Sequence, residues 1–166
     1  MKISTTSKLI ISIGVSELAG IIGSVFTTPS ITGWYAALMK PALNPPAWVF
    51  GPVWITLYAL IGGAFFFVWN QHTNKLEYIG MLRWRKISIT VFFVQLILNS
   101  LWSIIFFGLR SPGGALIEIV FLWVAILATI IFFYNISKPA ALLLVPYILW
   151  VSFAMYLNSA IWVLNY

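Results

Sequence analysis

The chain has 166 residues, of which 62% are hydrophobic and only 7% charged, where an ordinary soluble domain is roughly a quarter charged. That excludes a soluble globular domain, and equally a disordered tail, which combines low hydrophobicity with high charge. Nine Lys and Arg against three Glu give a formal +6, but the basic residues lie between apolar runs, so they read as signals of membrane orientation and no nucleic-acid partner is expected.

A helix that crosses a bilayer needs ~20 apolar residues. Five runs of that kind use nearly the whole chain, at about 9–28, 47–69, 87–109, 113–134 and 140–163. The expected fold is therefore an all-α integral membrane protein, a single domain over 1–166 built as a five-helix transmembrane bundle. The first run is too long for a signal-peptide core, and no small-residue cleavage site follows it. Thr28-Pro29-Ser30 is expected to end it. The segment 70–86 is polar and charged, and Ser111-Pro112-Gly113-Gly114 is a turn. Ser137-Lys138-Pro139 puts a proline at the start of the last helix, where its missing N–H does least harm. The runs are continuous, unlike the short alternating segments of a membrane β-barrel.

An odd number of spans puts the termini on opposite sides. The N-terminus and the second and fourth loops carry Lys2, Lys8, Lys75, Arg83, Arg85, Lys86 and Lys138, whereas the other side carries only Lys40 and Arg110. The positive-inside rule then predicts a cytoplasmic N-terminus and an outward first loop, 29–46.

Among nine Trp, seven Tyr and thirteen Phe, some, including Trp69 and Trp84, fit interfacial belts. Trp54, Trp102, Trp123 and Trp150 lie two turns or more inside their runs. A buried indole needs a partner for its N–H. Flat aromatic walls with a few polar groups also suit a planar hydrophobic ligand, and composition alone leaves packing and pocket both open. Asn99 and Asn158 stand within spans three and five, where an amide must face protein; interhelical bonding and ligand orientation are both open roles. Glu17 is near the middle of span one, where a charge costs about 2.5–3.5 kcal/mol on insertion scales; a functional acid and one bonded to a neighbouring helix are equal readings. Glu118, a turn and a half into span four, is explained by the positive end of that helix.

His72, the only histidine, sits in a polar loop, and one His without Cys makes no metal site. The absence of Cys excludes disulfides, thiolate nucleophiles and cysteine-ligated metal. Ala19/Gly23, Gly20/Ser24 and Ala59/Gly63 are small-residue pairs that permit close helix approach. No phosphate loop, nucleotide fingerprint, catalytic triad or metal-spaced carboxylate set appears.

The most specific stretch runs from Trp34-Tyr35 through Lys40-Pro41, Pro45-Pro46, Trp48-Val49-Phe50, Val53-Trp54 and Leu57-Tyr58. Two further blocks are Gln95 to Trp102, continuing through Phe106-Phe107-Gly108, and Pro146-Tyr147-Ile148-Leu149-Trp150 with Phe153-Ala154 and Leu157-Asn158. This pattern resembles the TspO/MBR family, the tryptophan-rich sensory proteins related to the mitochondrial translocator protein, over essentially the whole chain. Leu43 stands where many members have Trp. The end of span five, Leu157 to Tyr166, lacks the basic residue of the animal proteins' cholesterol motif. Glu17 belongs to no family motif.

The resemblance implies a five-helix bundle, often a homodimer, with a pocket under the first loop. It implies a membrane porphyrin-binding protein, taking protoporphyrin IX or haem as ligand and also isoquinoline carboxamide drugs. Such a protein would act in tetrapyrrole and oxidative-stress sensing, in a bacterial plasma membrane by default, with no obligatory cofactor. Some bacterial members degrade protoporphyrin IX in light.

Carried over by position, the pocket would be lined by Tyr35, Pro45, Pro46, Trp48, Phe50, Trp54, Tyr58, Asn99, Trp102, Tyr147, Trp150, Ala154 and Asn158. Trp54 and Trp150 would face the porphyrin and could relay electrons in a photochemical reaction. Lys40 and Arg110, the basic residues of the outward side, would meet the propionates. Two alternatives remain: a passive carrier of porphyrin or lipid, and a proton-coupled small multidrug exporter using Glu17.

Overall fold

The computed structural model describes residues 3–71 and 78–166, with the side chains of 3–71 and 84–166. Lys2, His72, Lys75 and the Arg83 side chain lie outside the described residues. Among these residues, five helical spans are long and apolar enough to cross a membrane. The protein is a multi-pass integral membrane protein.

Helix α1, Thr5–Ile31, starts at Ser4, whose hydroxyl accepts from the Ser7 amide at 3.1 Å and so satisfies one of the donors left free at a helix start. It does not stop at Thr28 as the sequence suggested. Pro29 falls in the last turn, where it removes one backbone bond without a full turn left to disrupt. The end is held instead by Ser30, which donates to the Phe107 carbonyl at 3.2 Å. The first loop is also not wholly irregular, since Trp34–Ala37 forms a short helix, α2. Helix α3, Ala47–Asn70, follows directly on Pro45-Pro46.

Helix α4, Tyr78–Ser103, passes into a π-helical turn, Ile104–Gly108, in which the Leu109 amide reaches the Ile104 carbonyl at 2.8 Å. The wider turn lets two consecutive side chains, Phe106 and Phe107, both be buried. Helix α5, Pro112–Tyr134, is capped by Ser111 through the Gly114 amide.

Span five is two helices rather than the one expected over 140–163: α6, Lys138–Leu143, and α7, Val145–Asn165. Pro146 has no N–H to continue the ladder and its ring crowds the carbonyl one turn back. The consequence is architectural. Helix α1 packs between α3 and α4, α4 against α5, and α5 against both α6 and α7. Helix α6 closes the ring against α3, whereas α7 barely touches α3.

Close approach of α1 and α3 falls on Gly62 rather than on Gly63. A Cβ at Gly62 would stand 2.5 Å from the Ile13 Cα, while one at Gly63 would only meet a Leu143 methyl at 3.5 Å. Lys8 to Asn70 (3.2 Å) and Arg85 to the Trp69 carbonyl (2.6 Å) tie together the start of α1, the end of α3 and α4 at the end of the bundle away from the first loop.

Candidate functional site

Where α7 stands off from α3, the bundle contains a cavity of about 530 Å³, within the size range of small-molecule sites. Helix α1 lines it with Glu17, Gly20, Ile21, Gly23, Ser24, Thr27, Thr28 and Ile31. Helix α3 adds Ala47, Trp48, Phe50, Gly51, Trp54, Ile55 and Tyr58. Asn99, Trp102, Ser103, Phe106 and Phe107 come from α4 and its π turn, and Trp150, Ala154, Leu157, Asn158 and Ile161 from α7. Tyr35 of α2 lies at the loop end. Ile21, Ser24 and Thr28 on α1, and Trp48, Gly51 and Ile55 on α3, are exposed as well as lining. The cavity therefore opens sideways between the loop-side halves of these two helices, toward the bilayer.

The walls are held by polar contacts set behind or between the rings. Tyr58 donates its hydroxyl to Asn99 Oδ1. Asn99 Nδ2 donates to the Tyr147 hydroxyl at 2.8 Å, and Tyr147 donates to Gln95 Oε1 at 3.0 Å. All four residues are buried, so each satisfied group avoids the cost of an unpaired one in a low-dielectric interior. Trp102 Nε1 donates to Asn158 Oδ1 at 3.1 Å, and Asn158 Nδ2 donates to the Pro112 carbonyl at 2.7 Å. Both asparagines thus bond between helices while presenting a surface to the cavity. Trp102 stacks on Phe106 with centroids 5.0 Å apart. Trp54 leans on Tyr58 at 5.5 Å, and Trp150 meets Phe50 edge-on at 6.0 Å.

The loop end is built from α2 and the chain that follows it. Trp34 and Tyr35 both pack against Phe106 and Phe107. The Tyr35 hydroxyl donates to Asn44 Oδ1 at 3.0 Å, and Asn44 Nδ2 donates to the Pro45 carbonyl. Burial pushes the Tyr35 phenol above its ordinary value, with the Asn44 bond pulling the other way, so the phenol remains a donor near neutral pH. Asn165, at the end of α7, clasps the loop at Met39. Its Oδ1 accepts from the Met39 amide and its Nδ2 donates to the Met39 carbonyl, both at 2.9 Å.

Most residues singled out in the sequence gather at this cavity, but Tyr147, Pro45, Pro46, Lys40, Arg110 and Trp123 do not line it. Tyr147 is fully buried and stands behind the wall, where its hydroxyl bridges Asn99 and Gln95. Pro45 and Pro46 shape the approach to α3. Lys40 is turned onto its own loop, donating to the carbonyls of Ala36 (3.1 Å) and Leu38 (3.0 Å), with its ammonium 4.9 Å over the Tyr35 ring. It is at the rim, one side chain from the cavity. Arg110 is exposed beyond the π turn with φ 51°. Trp123 satisfies its N–H on Ser152 at 2.9 Å, away from the cavity.

Two carboxyl groups lie within the spans. Glu118 is buried, and neither carboxyl oxygen has a hydrogen-bond partner. Glu17 lines the cavity without a bond to a neighbouring helix. The α1 face and the Phe106-Phe107 pair are lining residues that the position-by-position reading omitted. The small-residue pairs of α1 were the available signal, since Gly20 accommodates the Tyr58 ring and Gly23 faces Ser103.

The TspO/MBR family profile matches residues 12–163. The chain belongs to the TspO/MBR family. Members similar to it include the tryptophan-rich protein TspO of Chlorobaculum tepidum, 43% identical over 95% of both chains. TspO of Archaeoglobus fulgidus is 44% identical over 95% of this chain and 97% of its own. The human translocator protein is 38% identical over 88% of this chain and 83% of its own. As a TspO/MBR protein, the chain carries the family's first-loop block, Trp34 to Tyr58, in the α2 helix, the tie to Asn44 and the α3 wall of the cavity.

Proposed function

We propose that this protein binds porphyrins within the membrane, with protoporphyrin IX or haem as ligand, and acts in tetrapyrrole and oxidative-stress sensing. The observation that carries the reading is the cavity itself, whose walls include four tryptophans, Trp48, Trp54, Trp102 and Trp150, with few polar groups between them. A planar apolar ring system is the ligand class that such walls favour. Relatives named for a sensory or a translocator role are compatible with it. The sideways opening suits a ligand that partitions into lipid. The seven-to-two distribution of basic residues supports a cytoplasmic N-terminus, with the cavity in the outer half of the membrane.

The test is a titration of the purified protein in detergent with protoporphyrin IX, following tryptophan fluorescence in the dark and porphyrin absorbance under illumination. Saturable quenching is expected, weakened in Trp54→Phe and Trp150→Phe. Absence of saturable quenching removes porphyrin as the ligand. The illuminated arm separates two versions of the function. Protein-dependent loss of the porphyrin bands that needs both indoles would mark light- and oxygen-dependent breakdown. Dark binding without such loss would mark a sensor or carrier.

A further inference from the structure

The lining residues are uneven in their polar chemistry. No Lys, Arg or His is among them, and Glu17 is the one residue with an ionisable carboxyl group. Several other polar groups of the lining are committed within the protein, and the buried Trp150 N–H, which has no partner, is a donor that offers nothing to a ligand's own N–H. The Tyr58 proton goes to Asn99. Ser24 and Thr27 donate back to their own helix, at the carbonyls of Ile21 (2.7 Å) and Gly23 (3.1 Å). Glu17 is half-buried, and among the described residues it has no hydrogen-bond or ion-pair partner.

Its position is also specific. Glu17 is one turn before Gly20, against which the Tyr58 ring lies, so it stands at the inner end of the cavity. The rim, at Trp48 and Tyr35, is at the opposite end.

We propose that Glu17 selects ligands carrying an ammonium or N–H donor at one end and directs that end to the inner floor of the cavity. The inference rests on the cavity being the ligand site. A donor placed there gains a charge-assisted hydrogen bond in surroundings where water does not screen it. A carboxylate placed there gains nothing and faces another acid. An asymmetric planar ligand therefore enters donor end first and keeps any anionic edge at the rim, beside Lys40. For a porphyrin, that means propionates outward.

Three fluorescent probes of one shape separate this from simple tolerance of a buried acid: 1-pyrenemethylamine, 1-methylpyrene and 1-pyrenecarboxylate. Each is titrated into the detergent-solubilised natural chain and into Glu17→Gln, with partition into empty micelles subtracted. The variant should lose pyrenemethylamine affinity by about tenfold or more, hold methylpyrene within about twofold, and bind pyrenecarboxylate more tightly. Equal changes for amine and methylpyrene, or none for the amine, overturn the role of Glu17 while leaving the cavity as the site. Failure of all three probes to bind the natural chain overturns both readings. Should Glu17→Gln not fold, the order of affinities in the natural chain decides alone: amine, then methylpyrene, then carboxylate supports the proposal, and any other order overturns it.

Discussion

The two ends of the bundle solve different problems with the same helices. Away from the first loop, the interior is filled by apolar side chains in direct contact. Ile61, Ala64 and Val68 of α3, Phe92 of α4, Ile126 and Phe133 of α5, and Ala140 of α6 are completely buried. Phe92 stacks on Phe65 at 4.5 Å and on Phe133 at 5.9 Å. At the loop end, the rings line an open volume, and Tyr58 and Trp102 are fixed from behind by hydrogen bonds. The layer Tyr58–Asn99–Tyr147–Gln95 lies at the boundary. One end gains its order from close packing. The other keeps an open volume walled by rings that pack on one another and are anchored at their polar edges at Tyr58 and Trp102.

That contrast is broken most severely by adding volume. Ala64→Phe, in the packed end, is expected to destabilise by about 3 kcal/mol or more, because an overfilled core must move backbone. Ala154→Phe, facing the cavity, should change stability by less than about 1 kcal/mol, because the ring enters open space. Unfolding in mixed micelles with increasing SDS measures both; equal losses would mean the two ends are packed alike.

Next in size is the boundary layer. Asn99→Leu leaves the Tyr58 hydroxyl without its acceptor and takes from Tyr147 the bond it accepts, though not the one it donates to Gln95, and should cost about 2 kcal/mol. The same unfolding assay checks it, and a neutral effect would show that the layer is not an anchor.

The loop clasp sharpens the comparison kinetically. Asn165→Ala removes both bonds to Met39, so amide exchange at Met39 and the dissociation rate of a bound probe should each rise by about fivefold or more, with little loss of stability. Unchanged rates would assign the clasp no part in closing the cavity.

The smallest effect concerns charge at the rim. Lys40→Glu should weaken protoporphyrin IX by about threefold to tenfold and a neutral isoquinoline carboxamide much less, whereas Arg110→Glu should do little to either. Fluorescence titration of both ligands decides it.

Much of this organisation was legible in the sequence because it depends on composition and local chemistry. Five continuous apolar runs could only be spans, and Ser137-Lys138-Pro139 starts a helix where expected, whereas Pro112-Gly113-Gly114, read as part of a turn, opens α5 behind the Ser111 cap. What failed was conditional on neighbours. Pro29 looked like a terminator, yet a proline in the last turn removes too little to end α1. Pro146 was present in the last run, but its apolar surroundings concealed the break that separates α7 from α3 and makes room for the cavity. The π turn at Ile104–Gly108 has no periodic signature, so the joint inward placement of Phe106 and Phe107 was not readable.

Among the site residues, the aromatic positions were carried by the first-loop pattern and by depth within the runs. Tyr147 was read as lining because it belongs to the same block as Trp150. Three positions earlier on α7, however, its ring lies within the packed interior and only its hydroxyl reaches the wall's supports. Glu17 matched no pattern, and its exposure to the cavity follows from the tertiary packing of α1 on α3, anchored at Gly62.

The cavity as the ligand site is tested most directly by protoporphyrin IX titration of Ala154→Phe beside the natural chain, with unfolding in SDS as the folding control. Saturable quenching in the natural chain, lost or weakened by about tenfold or more in a stably folded Ala154→Phe, is expected. Unaltered affinity in the filled variant would place the ligand elsewhere on the protein and contradict the account.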